Sequence, residues 1–308
     1  MLSSRYVALA KVESTYNTDP TPTASDDAIL VENLQIGRPV EIVERNEDIG
    51  NNSLSPFRPI VGRYYGQVSF DVELKGSGAA GTAPDLGVLL LACGFDETVV
   101  ASTSVTYAPV STSMDSITLY LYRDGVRHRF TGCRGNVAFR FPAGGKPIAA
   151  FTFSGHYVTP DDQSVPTPTL DSTVPAAVRN TSFSVGSYSA VISSLDVDMG
   201  NSVNANDDIN GADGYGVMTI TGRSAQGSID PEATLVATRD WFGVWVGGTA
   251  EALTITIGST AGNILTVTAP ALVHREISDG DRNGILTYDI PFTLARSSGD
   301  DEISLAFT

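Results

Sequence analysis

The chain has 308 residues, 42% of them apolar, and 35 acids against 19 bases leave a formal net charge of -16. That balance excludes a partner held by phosphate neutralisation, which needs clustered Lys and Arg. Cys93 and Cys133 are too few for a cystine framework, no apolar run reaches bilayer length, and residues 1–11 lack a signal-peptide pattern, so neither a secreted scaffold nor a membrane protein is expected.

In chain order, residues 37–64 form a long, polar, proline-bearing stretch that reads as a loop or hairpin arm. Residues 68–74 alternate strictly, which predicts a strand with Asp71 and Glu73 on its polar face. Residues 84–94 read as a helix, with Pro84 and Asp85 in the first turn, a Leu-rich body and a glycine stop. Alternation returns at 117–122 and 137–141, separated by turn signals at Asp124-Gly125 and Gly144-Gly145. A polar, proline-rich run at 159–168 continues loosely to Asn180 and reads as a linker. Beyond it, 195–199 alternates with Asp196 and Asp198 outward, followed by a second helix at 238–247. That helix has Thr238 as its expected cap and Trp241, Val244 and Trp245 on one face. Residues 253–257 and 264–268 alternate again. The sum is a mainly β chain with about six strands and one helix per half.

The halves read as copies. Residues 69–73 parallel 228–232, which include Asp230 and Glu232, and each precedes its half's single helix. Residues 117–121 then parallel 253–257, 148–153 parallel 285–290, and 34–36 parallel 195–197. The expected organisation is a β domain over 1–160, a linker over 161–180 and a second β domain over 181–308. Most of the excess charge lies late, since residues 161–308 hold 19 acids and only 6 bases.

Motifs that usually carry chemistry resolve into turns. Gly76-Ser77-Gly78-Ala79-Ala80-Gly81 fits the dinucleotide fingerprint, but Thr82, Ala83 and Pro84 separate it from the helix, and hairpin turns replace crossover helices. Asp279-Gly280-Asp281-Arg282-Asn283-Gly284 and the run from Asn206 to Gly211 begin like calcium loops, yet Ile290 and Val217 stand where the bidentate Glu belongs. Asx-rich turns are the simpler reading. His128, His156 and His274 are isolated, and no nucleophile elbow occurs. No catalytic residue, metal or cofactor is assigned, and no enzyme activity is expected.

Several stretches together resemble the major tail tube protein of long-tailed bacteriophages. They are Ala10-Lys11-Val12-Glu13-Ser14-Thr15-Tyr16, the run from Glu73 to Pro84 with the helix ending Ala92-Cys93-Gly94, Tyr122-Arg123-Asp124-Gly125-Val126, Thr131-Gly132-Cys133-Arg134-Gly135 and Gly280-Asp281-Arg282-Asn283-Gly284-Ile285. The likeness covers 1–160 well and the second half more loosely. It implies two tandem β-sandwich or half-barrel domains, each with one short packed helix, in a protein that binds itself in stacked rings. With duplicated domains, three chains would give pseudo-six-fold rings. The resemblance further implies a channel that houses the tape measure protein and then conducts DNA without binding it specifically. Tail terminator and distal tail proteins would be partners at the tube ends, with assembly in the bacterial cytoplasm and residence in the virion tail. Asp71, Glu73, Asp196, Asp198, Asp230 and Glu232 are the lumen-facing candidates. The mixed charges of the arm, Arg38, Glu41, Glu44, Arg45, Glu47, Asp48, Arg58 and Arg63, are the ring-stacking candidates. The alternatives are a tail-tip or surface adhesin gripping host carbohydrate, separable by its failure to polymerise, and a β-rich glycan hydrolase, separable by turnover.

Overall fold

The computed structural model describes Leu2, residues 5–45 and residues 55–308. Glu47 and Asp48 lie outside the described residues. The first half contributes β1 (Tyr6–Val12), β2 (Ala28–Ile29), β3 (Glu32–Gly37), β4 (Val40–Val43), β5 (Ile60–Tyr64), β6 (Gly66–Glu73), α1 (Gly87–Leu91), β7 (Phe95–Val100), β8 (Ser104–Pro109), β9 (Ile117–Arg123), β10 (Val126–Pro142) and β11 (Ile148–Asp162). The second contributes β12 (Ser182–Val185), β13 (Ser194–Asp198), β14 (Ser202–Asp207), β15 (Tyr215–Gly222), β16 (Gln226–Ile229), α2 (Trp241–Val246), β17 (Glu251–Ile257), β18 (Leu265–His274), β19 (Ser278–Arg282), β20 (Ile285–Leu294) and β21 (Ser304–Phe307). The fold is mainly β, and its strand pairings are antiparallel. More strands form than alternation alone reveals, because pieces as short as β2 and β21 carry too few residues to show a period.

One long sheet runs β3–β6–β11–β10–β13–β16–β20–β19. It crosses between the halves at β10 and β13, where Ala138 pairs with Asp198 and Pro142 with Ser194. Behind it, β2–β1–β9 joins the early part of β10. The path β12–β17–β18–β21–β8–β7 covers the rest. Strand β10 serves both layers because register shifts between Arg127 and Arg129 and between Thr131 and Arg134 bend it.

The apolar half of each alternating strand fills the space between the layers. Phe70 of β6 packs on Phe151 and Phe153 of β11 at 6.0 and 5.8 Å between ring centroids. Val137, Phe139, Val197, Ile229 and Phe292 carry the same buried face through the second half, in one continuous cluster. Truncating any of these phenylalanines to Ala costs about 3–5 kcal/mol by the usual transfer and cavity terms.

The pairing order is the same in both halves. It runs β1–β9–β10–β11–β6–β3 in the first and β12–β17–β18–β20–β16–β13 in the second. A separate two-stranded sheet, β4–β5, lies in sequence between β3 and β6, and another, β14–β15, lies between β13 and β16.

Both helices are shorter than expected. Gly94, with φ of +79°, closes the turn after α1. The cap of α2 is Asp240, not Thr238: its carboxylate accepts from the Gly243 amide at 2.7 Å. Replacing Asp240 with Ala should therefore cost about 1 kcal/mol, read as a lowered urea midpoint at constant slope. Of the three residues expected on one apolar face, Trp241 is buried and Val244 half-buried, but Trp245 is 39% exposed.

Strand β11 runs on through Thr159 to Asp162, so the extended connection starts at Gln163. Lys75 holds it by donating to the carbonyls of Asp171 (2.9 Å) and Thr173 (2.8 Å). The glycine-rich loop has a structural job. Gly76 donates to the Asn263 side chain at 2.9 Å and Gly78 to the Gly262 carbonyl at 3.0 Å. A Cβ on Gly76 would sit 2.0 Å from the Gly262 oxygen, so backbone meets backbone where the halves touch. The expected Asx turn forms at Asp208, which accepts from Asn210 N (2.8 Å); of 279–284 only Asn283-Gly284 is a turn, where Asp281 accepts from Gly284 N (3.1 Å), and the rest belongs to β19.

Candidate functional site

Strand parity places all six acidic candidates on one face of the long sheet. Directly paired residues share a face, and so do residues two apart on a strand. One row reads Asp71–Ala150–Ala138–Asp198–Gln226–Thr293. The next reads Glu73–Ile148–Arg140–Asp196–Ser228–Pro291. Asp230 continues the parity of Gln226 and Ser228, and Glu232 bridges to Thr287 of β20. The opposite face is the phenylalanine core. Both halves thus contribute to a single polar surface, indented by a groove of about 460 Å³ whose walls include Arg140, Asp196, Asp198 and Arg275.

The carboxylates are not equivalent. Asp198 is fixed by the Asn136 amide (2.7 Å) and the Gly200 N–H (2.9 Å). Asp71 accepts from Asn33 (2.8 Å), and Glu73 pairs with Lys146 (3.2 Å). Asp230 takes the backbone N–H groups of Ser193 (2.7 Å) and Ser194 (3.0 Å). Arg282 lies 3.7 Å from Asp230 and 3.8 Å from Glu232. The face is therefore acidic with basic residues interspersed, rather than a pure collar of carboxylates.

Asp196 stands apart. Partial burial pushes its pKa above the usual carboxylate range, Arg140 pulls it down and Asp230 pushes it up again. A carboxyl whose folded-state pKa is raised destabilises the fold above that pKa, and the penalty fades as pH falls through it. Asp196→Asn should accordingly raise the thermal midpoint at pH 7, with the gain shrinking in acid. Paired melts at pH 7 and pH 4 measure this.

The arm forms the β4–β5 hairpin, with Val40 opposite Tyr64 and Val43 opposite Ile60. Its base is tied down. Arg38 donates to the Tyr157 hydroxyl at 3.1 Å. Arg63 donates to Glu41 at 2.7 Å, contacts Asp207 of β14 and stacks over Tyr215 at 5.4 Å. Arg45 lies over Phe57 at 5.5 Å, while Glu44 and Arg58 are exposed. The charge reading overlooked the hairpin's apolar content, for Val40, Ile42, Val43, Ile60 and Val61 are all at least 44% exposed. The signal was present as Val40-Glu41-Ile42-Val43 and Ile60-Val61, but polar neighbours masked it.

The long sheet has two ends. Among the described residues β3 pairs only with β6, and β19 only with β20. On β20, Tyr288 N donates to Pro231 O and Leu286 O accepts from Ala233 N, so both residues turn their peptide groups away from β19. Their partners Asp279 and Asp281 therefore aim their own N–H and C=O groups at the open edge. The turn reading of 279–284 did not anticipate this edge.

Among the described residues no group of three His, Cys, Asp or Glu is arranged to hold a metal ion. No curated protein matches the chain. The family model for the phage tail tube protein matches residues 3–295. With nearly the whole length matched and an antiparallel β fold beneath it, the chain belongs to the phage tail tube protein family, whose members are structural components of the virion tail.

Proposed function

We propose that three copies close a ring by pairing β19 of each chain with β3 of the next, with the polar face lining the lumen. The halves act as duplicated domains, giving pseudo-six-fold symmetry. The carrying observation is the β10–β13 junction, which already joins one half to the other by strand pairing. By the shared pairing order, β3 corresponds to β13, and β19 continues β18 along β20 as the late part of β10 does along β11. Each free edge is thus the counterpart of an edge that is satisfied within the chain, and closed symmetry removes both. Rings stack axially into the tube, with Glu44, Arg45, Glu47, Asp48 and Arg58 as stacking contacts and Arg38, Glu41 and Arg63 bracing the arm. The channel holds the tape measure protein until ejection and then passes DNA, whose phosphates an acidic wall repels. Tail terminator and distal tail proteins cap the tube, which is built in the host cytoplasm.

A symmetry-resolved map of assembled tubes tests this reading. Three chains per ring with Asp71 and Asp196 facing the channel support it. Six chains per ring, or these acids on the exterior, overturn it. Arg45→Glu with Arg58→Glu should leave single rings that no longer lengthen, as counted in negative-stain images.

A further inference from the structure

The exposed apolar residues of the arm have a counterpart elsewhere on the chain. Phe242, Trp245 and Val246 of α2 are 41%, 39% and 78% exposed, and Leu286 of β20 is 52% exposed. They are contiguous, since Phe242 packs edge-on against Tyr288 at 5.4 Å and Tyr288 shares its face of β20 with Leu286. The other helix is covered within the chain. Gly87 of α1 lies under the Tyr107 ring of β8, where a Cβ would meet the hydroxyl at 2.2 Å. No comparable hairpin stands between α2 and β17.

An internal precedent shows what fits such a surface. Hairpin β14–β15 follows β13 as β4–β5 follows β3, and it packs on the first half beside the end of α1. Met218 is fully buried there. Its N–H donates to the Tyr16 hydroxyl at 2.7 Å and its carbonyl accepts from Arg134 at 3.0 Å. Ile220, 8% exposed, lies against Gly94 just past α1. The ends of the two helices sit at matching places in the sheet. Ala92 O accepts from Gly135 N at 3.0 Å, where β10 leaves β9, and Trp245 Nε1 donates to Arg275 O at 3.0 Å, where β18 leaves β17.

We propose that the β4–β5 arm of one copy docks on the exposed end of α2 and the β19–β20 hairpin of the adjoining copy in the same ring. The arm then makes between chains the contact that β14–β15 makes within one. This inference rests on the ring reading above. Two unlike patches that fit each other form a head-to-tail interface, which is what a closed ring needs.

The test uses two single-site variants, Val61→Cys and Val246→Cys, in the full chain. The native thiols do not interfere, as Cys93 and Cys133 are 0% and 1% exposed. In isolated rings mixed one to one, a short bismaleimide should link the two variants to each other, shifting up to about half of the chains to a two-chain band, while neither variant links to itself. Trp245 fluorescence should move to the blue on assembly and fail to do so in Val61→Asp. Rings or tubes that form without the mixed link overturn the docking and leave the tail-tube reading standing. Links confined to stacked tubes and absent from single rings overturn it as well. A chain that forms no rings at all overturns both.

Discussion

Asp279→Pro should yield a folded chain that never closes into rings. The side chain is exposed, and its peptide N–H points to the open edge of β19, so proline removes no hydrogen bond to β20. Stability should change by no more than about 1 kcal/mol, since edge positions tolerate proline when the lost donor faces outward. Assembly should be lost outright. One missing donor and a pyrrolidine ring in the path of the incoming strand would block the ladder at every junction of the proposed ring. Sedimentation velocity would show a single-chain species with an unchanged far-ultraviolet spectrum, and Asp279→Asn, which keeps the N–H, should still form rings. If Asp279→Pro assembles normally, β19 is not the receiving edge.

The second large effect concerns passage through the tube. Asp71→Lys combined with Asp196→Lys should leave tube length and appearance unchanged and lower infectivity by at least about tenfold, the lower end of what a focused field does to encounter rates. Asp198 is spared because it holds Asn136 and Gly200, so its loss would confuse a folding defect with a channel defect. One exposed charge matters little when screening acts beyond about 8 Å. Repetition around each ring and along the stack makes the wall, rather than any residue, the relevant object. Asp71→Asn with Asp196→Asn should fall between wild type and the reversal. Full infectivity in the reversal assigns these acids to solubility instead.

Alternation revealed β6, β9, β13 and β17 because each presses one face on a core and leaves the other polar, a local property that a few residues display. It also placed Asp71, Glu73, Asp196 and Asp198 on polar faces. What it could not show is that those faces are one face. That depends on the order β6–β11–β10–β13–β16, and hence on pairs such as Ala138 and Asp198, far apart in the chain. Strand β10 was legible only over 137–141, since its bulged early part serves a second sheet and breaks the period. The outward Trp245 went unread for a different reason. Helical spacing groups it with Trp241, and only the missing cover over α2 separates them.

Strand β21 lies between β18 of the second half and β8 of the first, pairing Leu305 with both Val267 and Tyr107. It is synthesised after every strand it joins, so β8 waits almost two hundred residues for its partner. Closing so long a loop is slow compared with hairpin formation. Until β21 is in place, β8 and the 265–268 stretch of β18 each keep a bare edge, so the layer contributed by both halves closes only when that strand docks.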